Sequence, residues 1–354
     1  MILSFIIPMY NAEEYIEQCL YSIIDQPVNK NIFEIILIND GSTDNSLSKA
    51  NEISKKHKSI TVYSQKNKGL SATRNRGIEL ARGAYIWFID ADDYIIPNTV
   101  NTLLSCLKKH NLDILEFQYI RTESRVLNVS INNNPSLADV KVQNGKKYVA
   151  RRGYNESCCI SIYRRELIIQ IGVRFIEGKI MEDMVFNAEI VPKANRIAYY
   201  PLDAYRYVIN PNSIWMNEES AAYRKSITDF IFMTKKISFF IKDYKQNDIG
   251  TKIIESKQQE MLFNISKRLL TSDFTISEIN TIIKDLRKHK LYPLSKYNGI
   301  SKFRKFENYM FNKKLLFLLS IRIYRFFKKP IDHFIIKKYR QRREKLIKET
   351  IVNP

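Results

Sequence analysis

Asp90-Ala91-Asp92-Asp93 places three carboxylates in four residues, directly after the apolar run Ala84-Tyr85-Ile86-Trp87-Phe88-Ile89. Like charges this close repel one another unless something positive lies between them. A divalent cation is the simplest partner, and oxygen ligands favour Mg²⁺ or Mn²⁺. The structural alternative is a solvated acidic turn, or a helix N-terminus before Pro97 that accepts negative charge. A second acidic pair, Glu182-Asp183, precedes the apolar positions Met184, Val185, Phe186, Ala188 and Ile190. There the choice is between a general base and an ordinary helix start.

The run before the first cluster reads as a strand buried on both faces. Acidic residues at the carboxyl end of such a strand fall where open α/β sheets bind ligands. Strand patterns at 4–8, 34–39, 60–65, 84–89 and 113–119 alternate with helical patterns at 12–24, 46–57, 70–81 and 98–110. That alternation predicts βαβ units, with the chemistry confined to the loops at the strand ends. Those loops are Pro8-Met9-Tyr10-Asn11, Asn39-Asp40-Gly41-Ser42-Thr43-Asp44, Asn67-Lys68-Gly69 and the acidic cluster.

Pro8 is expected to stop the first strand, exposing Tyr10-Asn11 as an aromatic face for a base. Asp40 can accept an imide N–H or serve as a turn residue, whereas Asp44 reads as a helix N-cap. Gly69, opening a helix that carries Arg74, suits an anion; a surface helix charge is the alternative for Arg74 and more so for Arg76. Residues 121–155 are polar and read as a surface excursion. Beyond them come a strand at 157–163, helices near 164–171 and 181–191, and two short strands at 199–201 and 204–209.

Five stretches, in order, resemble family 2 glycosyltransferases of the GT-A fold, the bacterial kind that builds surface polysaccharide. They are Phe5-Ile6-Ile7-Pro8-Met9-Tyr10-Asn11, Ile38-Asn39-Asp40-Gly41-Ser42-Thr43-Asp44, Gly69-Leu70-Ser71-Ala72-Thr73-Arg74-Asn75-Arg76-Gly77, Asp90-Ala91-Asp92-Asp93 and Glu182-Asp183. The family has Ala at the position of Thr73. The resemblance covers about the first 200 residues and implies an α/β fold, a Rossmann-like mixed sheet flanked by helices. It implies a metal-dependent, inverting transferase that moves a sugar from a nucleotide diphosphate sugar, UDP-linked, to a saccharide or lipid-linked hydroxyl. On that reading Asp92, supported by Asp90 and with Asp93 undecided, holds Mn²⁺ or Mg²⁺. Asp183 is the base, with Glu182 able to share or exchange the role. Nucleotide-sugar contacts fall to Pro8, Tyr10, Asn11, Asp40, Asn67, Gly69, Arg74, Asp90 and, on a weaker match, Arg206. A Gln-x-x-Arg-Trp motif and membrane spans, the marks of processive members, are absent from the sequence, so a single addition is expected.

The chain is 354 residues long with a net charge of +20, and residues 301–354 hold 16 basic and 4 acidic side chains, a net +12. The expected division is a catalytic domain over 1–215 and a helical, basic region over 216–354. Within the tail, Leu315–Leu319 is far short of the roughly 20 residues that span a bilayer. Arg322, Arg325 and Lys329 at helical spacing suit a helix lying in an anionic membrane interface. Packing helices with solvated basic faces are the alternative. Nucleic-acid binding is disfavoured, since the positive charge avoids the α/β half. The N-terminus reads as a strand rather than a signal peptide, and four cysteines without metal-ligand or disulfide spacing fit core positions in a reducing compartment. The expected location is cytoplasmic, peripheral on the inner face of the cell membrane. A Gly-rich loop after the first strand is lacking, which argues against nucleotidyltransferases and nicotinamide dehydrogenases. A non-catalytic protein that binds a nucleotide sugar or an anionic membrane is the alternative to an enzyme.

Overall fold

A computed structural model describes residues 1–123, 136–209, 220–241, 249–294 and 302–327. The chain divides into two units, one of Met1–Asn217 with Lys236–Glu255, the other of Glu218–Lys235 with Ser256–Pro354.

The first unit is built on an eight-stranded mixed sheet. Its strands are β1 (Leu3–Met9), β2 (Phe33–Asn39), β3 (Ile60–Ser64), β4 (Tyr85–Phe88), β5 (Tyr94–Ile95), β6 (Ile114–Thr122), β7 (Ser161–Arg164) and β8 (Ile197–Val208), in the order β3-β2-β1-β4-β7-β6-β8-β5. The helices are α1 (Ile16–Ile24), α2 (Ser46–Lys56), α3 (Leu70–Leu80), α4 (Val100–Lys109), α5 (Gly145–Arg152), α6 (Arg165–Ile171) and α7 (Glu182–Ile190). β1, β2 and β4 are buried at every position. Such strands need helices on both faces, which is why their sequences read as unbroken apolar runs rather than alternating ones.

β1 pairs in parallel with β2 on one side and β4 on the other, and β3 adds beyond β2. The winding therefore reverses between β1 and β4, and the crevice outside their carboxyl ends is the expected ligand position. Pro8 does not stop β1. The ladder to β4 ends at Ile6↔Phe88, whereas that to β2 continues to Met9↔Asn39. A residue with no N–H to donate thus comes where the β4 ladder has finished. Gly77 lets α3 press onto β1, since a Cβ there would lie 2.3 Å from Cγ2 of Ile6.

Two local expectations change, and one strand was not expected at all. The two short strands at 199–201 and 204–209 are one strand, β8, whose register against β6 shifts between Phe117 and Tyr119. Pro201 falls in that irregularity and so removes no ladder hydrogen bond. The excursion at 121–155 contains α5, capped by the Asn144 side chain accepting from Lys147 N and buried through Tyr148 and Val149. The pair Tyr94–Ile95 forms β5, antiparallel to β8. Each of these elements is too short, or too dependent on a distant partner, for periodicity to reveal.

The described residues of the second unit are mainly helical. Its helices are α8 (Ser220–Ile241) up to Lys235, α9 (Ile249–Thr271) from Ser256, α10 (Ile276–Lys288), α11 (Lys302–Asn312) and a further helix over 314–327. α10 opens with a capping box between Thr275 and Glu278. In the last helix Arg325 donates from Nη2 to the carbonyls of Ser272 and Phe274. It therefore packs against its own unit rather than joining Arg322 on an outward basic face, and Lys329 lies outside the described residues. No helix among the described residues is long and apolar enough to cross a membrane.

Candidate active site

The loops after β1 and β2 are knitted together at the crevice. Asn11, at φ +47°, accepts from Thr43 N through Oδ1 at 2.9 Å, and its own N–H donates to Ser42 Oγ at 3.0 Å. Asn is among the few side chains that tolerate this left-handed conformation. Tyr10 is left 51% exposed beside this junction. Asp44 accepts from Ser46 N at the first residue of α2 and from Glu13 N; against the raising effect of burial, such bonds hold its carboxyl below the usual range, although the N-cap residue itself is Asn45, one position later than expected. Asp40 is buried and accepts from Gln65 Nε2 at 2.8 Å, Lys68 N at 2.9 Å and Gly69 N at 2.8 Å. It thereby fixes the Asn67-Lys68-Gly69 loop, in which Gly69 adopts φ +87° as the residue before α3.

Arg74 is the centre of the arrangement. It is 1% exposed, on the face of α3 that also carries Gly77, and is not the surface charge that its sequence position allowed. Nη2 donates to Asp90 Oδ1 at 2.6 Å, and Nη1 donates to Glu182 Oε1 at 2.8 Å and Asp183 Oδ1 at 2.6 Å. One guanidinium thus joins two acidic motifs 92 residues apart in sequence (Asp90 and Glu182). In this arrangement it faces carboxylates, rather than the diphosphate expected of it. Beneath it lies the Phe175 ring, 5.3 Å away, which stacks at 4.3 Å on Phe186 of α7. The amide of Asn75 pairs with both backbone polar groups of Phe175, at 2.9 Å each. The sequence marked Phe186 only as an apolar position and Asn75 only as part of the stretch around Arg74, and Phe175 drew no attention there.

Glu182 and Asp183 open α7 immediately after Met181, whose φ is +65°. That conformation is costly for a non-glycine residue and points to a constraint on the acidic turn. Asp183 Oδ2 also accepts from Cys158 N at 3.1 Å. Burial, then the Asp183 charge, raises Glu182 to about 7. Burial likewise raises Asp183 above the usual carboxylate range, against the lowering effect of Arg74.

The acidic cluster divides. Asp90 and Asp92 are half-buried after β4, while Asp93 is buried and bonded to β8. Tyr205 Oη donates to its Oδ2 at 2.5 Å, and Val208 N donates to its Oδ1 at 2.8 Å. Burial and the two neighbouring carboxylates push the Asp93 carboxyl well up. With both oxygens engaged by β8, Asp93 is the least available of the three to a cation. Nor does it cap the next helix, since α4 starts at Val100. Asp90 and Asp92 supply only oxygen, a set that fits Mg²⁺ or Mn²⁺. Arg206 is buried and bonded through both terminal nitrogens to Asp203. It is therefore not presented to a phosphate. Asn212-Ser213-Ile214, which with Tyr205-Arg206-Tyr207 resembles the family's segment after the base, lies outside the described residues.

Residues 4–172 match the family model described as "Glycosyl transferase family 2". The chain is 33% identical over 217 residues to "Uncharacterized glycosyltransferase EpsJ" of Bacillus subtilis, covering 60% of this chain and 62% of that one. It is 27% identical over 268 residues to "Minor teichoic acid biosynthesis protein GgaB" of the same organism, covering 71% and 29%. It therefore spans less than two thirds of the length of these relatives. Among solved structures, S. aureus TarS 1-349 in complex with UDP aligns with a TM-score of 0.63 at 21% identity, over 92% of this chain and 91% of that chain. This likeness shows the fold, a mixed sheet flanked by helices, as GT-A. Over residues 4–172 the chain is thus similar to glycosyl transferase family 2, and its sheet has the GT-A fold.

Proposed function

We propose that the protein is a metal-dependent, inverting glycosyltransferase. It moves a sugar from a UDP-linked donor to a hydroxyl of a saccharide or lipid-linked saccharide during cell-surface polysaccharide synthesis. One observation carries this reading: Arg74 joins Asp90 to Glu182 and Asp183 at the carboxyl edge of the sheet. A metal-and-donor locus and a candidate base thereby share one centre. Support for the donor comes from TarS, solved with UDP and with UDP-GlcNAc, and for the pathway from GgaB, named for teichoic acid biosynthesis.

The exposed Tyr10 ring offers a stacking face to the base. Asp40 uses three acceptor positions on Gln65, Lys68 and Gly69 of the segment before α3, and a carboxylate has about four, leaving one for the uracil imide N–H. Asn11, Asn67 and Gly69 line the loops around it, and the amide groups at the start of α3 suit phosphate oxygens. Asp90 and Asp92 hold the cation, which when bound neutralises charge on the leaving diphosphate. Asp183 takes the acceptor proton through a carboxylate oxygen as the hydroxyl attacks the anomeric carbon opposite the leaving group. Glu182, beside it on Arg74, holds a proton over part of the neutral range and tunes that base.

A panel of UDP-sugars with Mn²⁺ and a saccharide acceptor tests the reading. Turnover is expected for at least one donor, and Asp92→Ala lowers it roughly a hundredfold or more. A donor that binds without being consumed identifies the non-catalytic binding protein instead.

The same reading places the enzyme on the inner, anionic face of the cell membrane. Leu315, Leu319, Ile323 and Phe326 are exposed along the helix at 314–327. Their spacing puts them on one helical face. Lys313, Lys314 and Arg322 flank them, and each cation near such a surface contributes about 1 kcal/mol. Full-length protein is expected to sediment with anionic vesicles and less so in high salt. Leu319→Glu with Phe326→Glu should leave it in the supernatant. Equal sedimentation of this double variant rules out the helix as the anchor.

A further inference from the structure

Cys158 and Cys159 have no part in the chemistry above, yet they stand beside Asp183. The two sulfurs and a carboxylate oxygen of Asp183 all lie within 4.8 Å of one another. Ligand atoms around a tetrahedral Zn²⁺ with bonds near 2.3 Å are separated by about 3.8 Å, so a small contraction closes the set. The loop is pinned at both cysteines: Cys158 N donates to Asp183 Oδ2, and the Cys159 carbonyl accepts from Trp87 Nε1 at 2.7 Å. Charge favours a cation here, because Asp90 and Asp183, joined by Glu182 when it is ionised, face the single guanidinium of Arg74. Asp183, with 17% of its side chain exposed, gives an approach from solvent.

We propose that Cys158, Cys159 and Asp183 form a second metal site that takes a soft divalent cation, Zn²⁺ or Cd²⁺, and that its occupation blocks transfer. Thiolates select such ions, whereas the all-oxygen pair Asp90 and Asp92 selects Mg²⁺ or Mn²⁺. Binding releases the two thiol protons to solvent and forms two metal–sulfur bonds and one metal–oxygen bond. A fourth position stays open to water, as in non-structural zinc sites. Asp183 exchanges Arg74 for the metal, while Arg74 keeps Asp90 and Glu182. The blocking effect rests on the reading of Asp183 as base; the binding does not.

Cd²⁺ titrated into metal-free full-length protein is expected to give thiolate-to-cadmium charge-transfer absorption that saturates at one equivalent. Cys158→Ser and Cys159→Ser should each abolish the band, and Cys106→Ser should leave it. X-ray absorption of the zinc-loaded natural sequence supplies a readout that needs no variant, with two sulfur neighbours at about 2.3 Å expected. A shell of oxygen and nitrogen alone, or no cadmium band, overturns the site and leaves the base assignment standing. In the activity arm, Zn²⁺ should stop turnover despite excess Mn²⁺, with recovery on selective removal of zinc. Sulfur ligation with undiminished turnover would keep the metal site but refute both the blocking effect and Asp183 as base.

Discussion

Arg74→Met is expected to destabilise the first unit by roughly 3–5 kcal/mol, the cost typical of stripping one partner from a buried ionic cluster. The substitution keeps the volume of the aliphatic stem over Phe175 but leaves Asp90, Glu182 and Asp183 without their common cation. The site is buried enough for this to register, since Arg74 is almost fully enclosed. Arg74→Lys should recover only part of the loss, because a compact ammonium cannot present two separated donor groups to three carboxylates at once. Urea unfolding of the full chain, read by near-UV circular dichroism, checks the order natural > Lys > Met. Equal midpoints for all three would mean that the cluster is held together by backbone packing, with the guanidinium incidental.

Asp183→Asn should lower kcat by about 10²–10⁴-fold while donor affinity stays near that of the natural sequence. The amide preserves shape and one acceptor oxygen, so the hydrogen bond from Cys158 N survives while the basic function does not. pH gives a second measure of the same pair. Burial raises both acids, Glu182 to about 7, so the folded protein holds these protons more tightly than the unfolded chain. The resulting stabilisation is complete below the ordinary carboxyl range and is lost as pH rises through about 7. Activity runs the other way, since transfer needs the ionised base. The rate should therefore climb through neutral pH while the unfolding midpoint falls, with the apparent pKa belonging to the coupled pair. Glu182→Gln removes one of the two charges and should move the rising limb to lower pH. An unchanged limb would assign it to another group.

The sheet strands flanking the crevice were legible because burial on both faces writes an apolar run directly into the sequence. β1, β2 and β4 appear within about one residue of their expected bounds, a margin set by helix and strand end effects. β5, α5 and the continuity of β8 were not legible. A two-residue strand has no period, and a bulge that carries Pro201 looks like a break until β6 lies beside it. The same difference separates the site residues. Tyr10, Asn11, Asp40 and Gly69 occupy the loops at strand ends that the pattern singled out, because chain connectivity alone puts them there.

Local sequence thus determined the residue types at the crevice: three acids after β4, an acidic pair at the start of α7 and a turn carrying Tyr10. Tertiary structure decided what each side chain does. It turned Asp93 inward to Tyr205 and Val208, spent Arg206 on Asp203 and set Cys158 and Cys159 against Asp183. Above all it made Arg74 the hub of both acidic motifs. The reason is physical: which charge a buried guanidinium neutralises depends on distance through space, and Asp90 and Glu182 meet only when α3, β4 and α7 have packed.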